Sequence, residues 1–155
     1  RGSTASCAST DINTLLRRFP NAPSPPSPHE AAYRYYELPS QPKFVARSSP
    51  NPWIRPATDT GFDVPERKEL RWVGEHPLVD IAMHDYLVAR AVQYTSLGPV
   101  RIGPRSDAAP PVIIWVGVAP GSISGERGVE IAVGLRALLL ANDITDVHVE
   151  ICESL

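Results

Sequence analysis

The segment APGSISGERG, residues 119–128, joins a run of β-branched residues to a helical pattern, and such a junction can hold an anion. A helix N-terminus presents unpaired N–H groups and a partial positive charge. Gly121 and Gly125 would let backbone approach a phosphate or carboxylate, and Ser122 and Ser124 would donate hydroxyls. No lysine follows the glycines, so the phosphate-binding lysine of a Walker loop is missing, and neither G-x-G-x-x-G nor G-x-S-x-G is present. The plainer reading is that Ser124 caps the helix and Gly121 makes the turn, with Glu126 already complementing the helix dipole.

Two other groups have chemistry-bearing spacing. His76, Asp80 and His84 recur every four residues, which places them on one helix face. Eight residues span about 12 Å of helix rise, too far for one zinc ion to bridge both ends, and His76 precedes Pro77 outside the regular helix. A solvated polar face is the expectation there, with no metal site. His148 and Glu150 share one side of an alternating strand, and such a pair can serve acid–base chemistry. No nucleophile is tied to them, so the outward polar face of an edge strand is the expected role. Ile113 and Trp115, on the interior strand, form a third feature, and no catalytic residue is assigned.

These groups are positioned by elements that begin near Lys43. Residues 43–47, KFVAR, read as a short strand, and LRWVG from Leu70 as an additional extended piece. Pro77 opens a helix whose apolar side is Leu78, Ile81, Ala82, Leu87, Val88 and Ala91. A second strand falls within residues 92–102. VIIWVGV, residues 112–118, is β-branched and apolar on both faces, as an interior strand should be. A helix follows over residues 125–141, with Val129, Ala132, Val133, Ala137 and Leu140 on one side and Asn142 as its stop. DVHVEIC, residues 146–152, alternates strictly, with Val147, Val149 and Ile151 facing one way and His148, Glu150 and Cys152 the other.

The order strand, helix, strand, strand, helix, strand is that of a ferredoxin-like βαββαβ sandwich, an α+β fold with two helices on one sheet face. In that fold the first and third strands are central and the fourth lies at an edge. If Ile114 and Val116 face the helices, Ile113 and Trp115 face the open side. A tryptophan there must be covered, either by a partner or by the N-terminal arm with Tyr33, Tyr35, Tyr36 and Trp53.

That arm, residues 1–42 before a domain at 43–155, is polar and proline-rich. Eleven of the 17 prolines precede Glu66, and FPNAPSPPSPHE can be neither a helix nor a central strand. Residues 11–19 could form a short helix ahead of it. The chain has 155 residues, 43% hydrophobic and 21% charged, with a net charge of −2. That balance suits one globular domain and offers no field for nucleic acid or an acidic membrane surface. No apolar run approaches a spanning helix, and the small polar N-terminus is no signal peptide. Starting without Met, it suggests truncation of a longer chain. Cys7 and Cys152 form no framework, which suits a reducing, cytoplasmic setting, with a single Cys7–Cys152 bridge as the alternative.

The phrases AAYRYYELPSQPKFVARSS, KELRWVGEHPL, VIIWVGVAPGSISGERGVEIA and DITDVHVEICES together resemble a family of basidiomycete fungal proteins, over most of the chain from about Glu30. The most recognisable piece runs from Trp115 to Ser124. The resemblance carries no activity. It implies that longer relatives continue past Glu153 and Ser154 into a trypsin-like region, which this chain lacks, and that Cys152 stands where relatives have Arg. The expected function is a non-enzymatic accessory or protein-interaction domain, using the Ile113 and Trp115 surface toward a protein partner or a second copy, with no cofactor. The alternative is a small-molecule or anion-binding domain, and conceivably an enzyme, using Gly121, Ser122, Ser124 and Gly125.

Overall fold

The computed structural model describes residues 22–35, 38–51, 68–74, 76–104 and 108–154. The proposed helix at 11–19, Cys7, Tyr36 and Trp53 lie outside them. Among the described residues the fold is α+β, a five-stranded mixed sheet with three helices. The strands are β1 (Phe44–Arg47), β2 (Lys68–Trp72), β3 (Tyr94–Pro104), β4 (Val112–Val118) and β5 (His148–Glu153). The helices are α1 (Pro28–Tyr33), α2 and α3 (Gly125–Ala141). α2 joins a π-wound stretch, Leu78–Met83, to an α-helical one, His84–Ala89.

The sheet order is β1-β5-β4-β3-β2. β5 runs parallel to β4, with Ile114 opposite Val149 and Val116 opposite Ile151, and the other three pairings are antiparallel. This corrects the ferredoxin-like arrangement. The last strand lies inside the sheet and the first, β1, is at an edge, with β2 forming the opposite edge. The alternation of β5 is real, but its polar side is roofed by protein, so polarity did not mark an edge. β4 is interior, as its two apolar faces require.

One face of β4 and β5 packs against α2 and α3. Ile114, Val116, Val118, Val149 and Ile151 meet Val79, Met83, Leu87, Val129, Ile131, Leu135 and Leu139. The buried faces of the helices match the expected ones only in part: Leu87, Val129 and Ala132 are fully buried as expected, and other positions differ. In α2 the buried residues are spaced by four, at Val79, Met83 and Leu87, whereas Ile81 and Val88 are exposed. The π winding turns the first half of this helix relative to a 3.6-residue rod. In α3 the sheet-facing stripe is centred on Ile131 and Leu135, which leaves Leu140 exposed. Ser124 caps α3 in an extended conformation, its hydroxyl accepting from Arg127 N at 3.1 Å. Asn142 is the C-terminal cap, and Asp143 takes the left-handed conformation beyond it.

The other face is covered by the arm. Residues 22–27, neither helix nor strand, lead to Ser27, whose hydroxyl accepts from Glu30 N at 3.1 Å and caps α1, with Pro28 at its first turn. Beyond α1, Tyr35 and Leu38 drop onto the sheet and form a second core with Phe44, Val100, Trp115 and Cys152. Trp115 therefore faces away from the helices, and it is 4% exposed because the arm lies over it. The Tyr35 and Trp115 rings are 5.8 Å apart, and Tyr35 meets Phe44 edge-on at 6.1 Å.

Candidate functional site

The arm-covered face carries charge as well as aromatic rings. β5 aims Glu150 toward the arm, between apolar neighbours, and Glu150 is 7% exposed. A carboxylate there must be paired. Arg34, just past α1, supplies a forked contact, Nε to Oε1 at 3.2 Å and a terminal nitrogen to Oε2 at 3.1 Å. The Tyr35 hydroxyl donates to the same Oε1. The Arg34 guanidinium also sits 4.8 Å from the centre of the Phe44 ring. Burial alone would lower the pKa of Arg34, but the Glu150 carboxylate and Tyr35 outweigh it and raise it. Burial, reinforced by Glu150, pushes the Tyr35 phenol well up, so it stays a donor.

A second pair lies beside the first. Arg47, at the end of β1, binds the Glu30 carboxylate of α1, and both side chains are 9% exposed. Its Nε is buried without an acceptor. Burial lowers the pKa of Arg47, with Glu150 opposing that effect. The arm is thus fastened to the two neighbouring strands by two ion pairs, Arg34–Glu150 and Glu30–Arg47.

His148 stands one step along the same strand face. Ser48 Oγ is 3.0 Å from His148 Nδ1 and accepts from Val149 N at 2.8 Å. Ser48 and His148 thus share a hydrogen bond whose direction follows the ring tautomer, and the hydroxyl can serve either one. Burial, then the charge of Arg136, lowers the His148 pKa, partly opposed by Glu150. The ring is therefore neutral at pH 7.

These groups surround a cleft of ≈ 410 Å³. Arg34, Arg47, His148 and Glu150 form its polar side with Ser49 and Asn51, and Ile102, Pro111 and Ile113 form its apolar side. Both oxygens of Glu150 are already engaged, so the wall's free groups are the unpartnered Arg47 Nε–H, the His148 ring, the Asn51 amide and the Ser49 hydroxyl. Cys152 follows on the same strand face but is fully buried and unbridged, and burial pushes its thiol well up. It stays protonated and is a poor nucleophile.

The residues singled out from the sequence are distributed differently. At the 119–125 turn, Gly121 has φ +71°, which favours glycine, and its N–H donates to Glu153 Oε2 at 2.8 Å. Ser122 N binds Ala119 O, and Ser124 is occupied as the cap. A Cβ on Gly125 would come within 2.9 Å of the Pro25 ring, so the arm closes over this turn as well. His76 and His84 do not converge: His76 Nδ1 accepts from Leu78 N at 3.2 Å, and His84 Nδ1 pairs with the Tyr94 hydroxyl. Among the described residues, no three His, Cys, Asp or Glu side chains are grouped to hold a metal, and no helix is long and apolar enough to cross a membrane.

Of the sequence candidates, Ile113 borders the cleft while Trp115 lies beneath Tyr35. His148 and Glu150, assigned to a solvated edge, are central to it. Arg34, Arg47, Ser49 and Asn51 carried no signal of their own, because nothing local says that the arm returns to β5. Compared with known proteins, the chain matches no family model, no curated protein and no solved structure.

Proposed function

We propose that this chain is a binding domain for a small monocarboxylate with an apolar body, held in the cleft between the arm and β5. The observation that carries this reading is the ≈ 410 Å³ cleft itself, in which two arginines, a neutral histidine and a buried carboxylate converge beside an apolar wall. A concave site with a few convergent polar groups and perturbed titration is the usual form of a small-molecule site. The wall's spare donors select an acceptor-bearing head group. Ile102, Pro111 and Ile113 select an apolar tail. A multiply charged ligand is disfavoured, because Glu30 and Glu150 already pair the two arginines and leave only the Arg47 Nε–H as a charged donor for one carboxylate.

A second cavity, of ≈ 210 Å³, opens at the other end of the helix face, among Val73, Leu78, Val112, Leu139, Ile144 and Val147. It has almost no polar group to orient a ligand, which makes it the weaker candidate.

Thermal unfolding in the presence of hexanoate, acetate and hexanamide tests the reading. Hexanoate should raise Tm with concentration, as ligand that binds only the folded state must. Acetate lacks the tail and hexanamide the charge, so both should do less. Arg47→Lys, which keeps a charge beside Glu30 but loses the unpartnered Nε–H, and Ile113→Trp, which fills the apolar wall, should each abolish the hexanoate shift. Equal shifts in the wild type and both variants, or none with hexanoate, would overturn it.

A further inference from the structure

We propose that two copies of this chain join edge to edge through β2, in one antiparallel register centred on Leu70. β2 ends the sheet, so one side of its backbone has no strand beside it among the described residues. Val73 N donates to Pro99 O of β3, which fixes which side is which. Alternation then turns the N–H and C=O groups of Leu70 and Trp72 outward, while Glu69 and Arg71 bond inward to β3. An exposed strand edge of this kind is a template for another strand.

The charges of β2 say which strand. Glu69 and Arg71 lie on the same face, 3.1 Å apart, with 42% and 45% of their side chains exposed. A two-fold axis through Leu70 places Glu69 of each copy opposite Arg71 of the other, so four charges alternate in sign. The same axis sets Leu70 opposite Leu70 with both backbone groups outward, and Trp72, 55% exposed, opposite the partner's Lys68 position. Sliding the pairing by two residues in either direction puts Glu69 against Glu69 or Arg71 against Arg71. Like charges directly opposite are unfavourable, so these registers are rejected. Exposed ion pairs contribute little to affinity and serve here to choose the register, while the backbone bonds and the covering of Trp72 hold the pair together. The sheet would continue through ten strands, and the cleft, which opens on one face of each sheet and not along its β2 edge, would remain open.

Sedimentation of the full chain tests this. The wild type should dimerise with rising concentration. Glu69→Arg and Arg71→Glu each set like charges opposite one another and should be monomeric, while the double swap should recover the dimer. An equimolar mixture of the two single variants should form a heterodimer, since every facing pair is then of opposite sign. Circular dichroism confirms that each variant is folded, as both side chains are half exposed. A wild type that stays monomeric up to millimolar protein would overturn the proposal. So would single variants that dimerise as the wild type does, or slow Leu70 and Trp72 amide exchange that ignores protein concentration, which would mean that the same chain covers this edge.

Discussion

The two faces of the sheet are stabilised by different means. The helix face is apolar and interlocked, with Val116, Val118, Ile131, Leu135 and Ile151 at 0% exposure, and its ion pair Arg127–Glu130 lies beside the Arg90 carbonyl at the end of α2. The arm face mixes rings with charge: Tyr35, Phe44 and Trp115 pack around Glu150, Arg34 and the Glu30–Arg47 pair. A close-packed apolar layer loses most when atoms are removed. A layer tied by buried ion pairs loses most when one partner is deleted, because the other charge is stranded. Polar groups held half-sheltered in this way are also the ones able to meet a ligand.

Substitutions should separate the two faces. Leu135→Ala leaves a cavity between α3 and the sheet and should cost about 2–5 kcal/mol in urea unfolding. Deleting charge on the arm face comes next. Glu150→Gln removes the anion that Arg34 and Tyr35 address, and should cost about 2–4 kcal/mol, a figure reduced because the Arg34 side chain is 20% exposed. It should also loosen the arm, read as faster proteolysis near residues 22–43 without loss of the helix-face core. Tyr35→Phe keeps the ring against Trp115 and loses one hydrogen bond to a carboxylate, at about 1–2 kcal/mol. If Tyr35→Phe costs as much as Leu135→Ala, the faces are not distinct in this sense.

The smallest effect is the dependence on pH. The folded pKa of His148 is lowered, so the unfolded chain binds more protons as pH falls below the unperturbed value of about 6.5. The contribution of His148 is fully present above that pH and is lost as pH falls toward the folded pKa. His148→Gln should flatten this part of the stability profile, measured as Tm between pH 7 and 5. An unchanged slope would place the titration elsewhere.

Local pattern carried much of the fold. The β-branched run at Val112–Val118, the Ser124 cap and the alternation of residues 147–152 each follow from period and propensity. Strand order did not follow, because an alternating strand looks the same whether its polar side meets water or a buried arginine. The polar side of β5 meets Arg34, 116 residues away in sequence. For the same reason His148 and Glu150 were legible as a pair but not as a cleft. The stripe of α2 was misplaced because a π-wound stretch spaces its buried residues by four, at Val79, Met83 and Leu87. Trp115 showed that its face had to be covered, and Tyr35 is the residue that covers it.

The central claim, that a small carboxylate binds on the arm face, is tested most directly by an NMR titration with hexanoate that follows the isoleucine methyl groups and the His148 ring. Ile102, Ile113 and His148 should shift together along one saturable curve, while Ile144, in the apolar cavity of the helix face, stays still. A saturable shift at Ile144 with none at Ile102, Ile113 and His148 would contradict it.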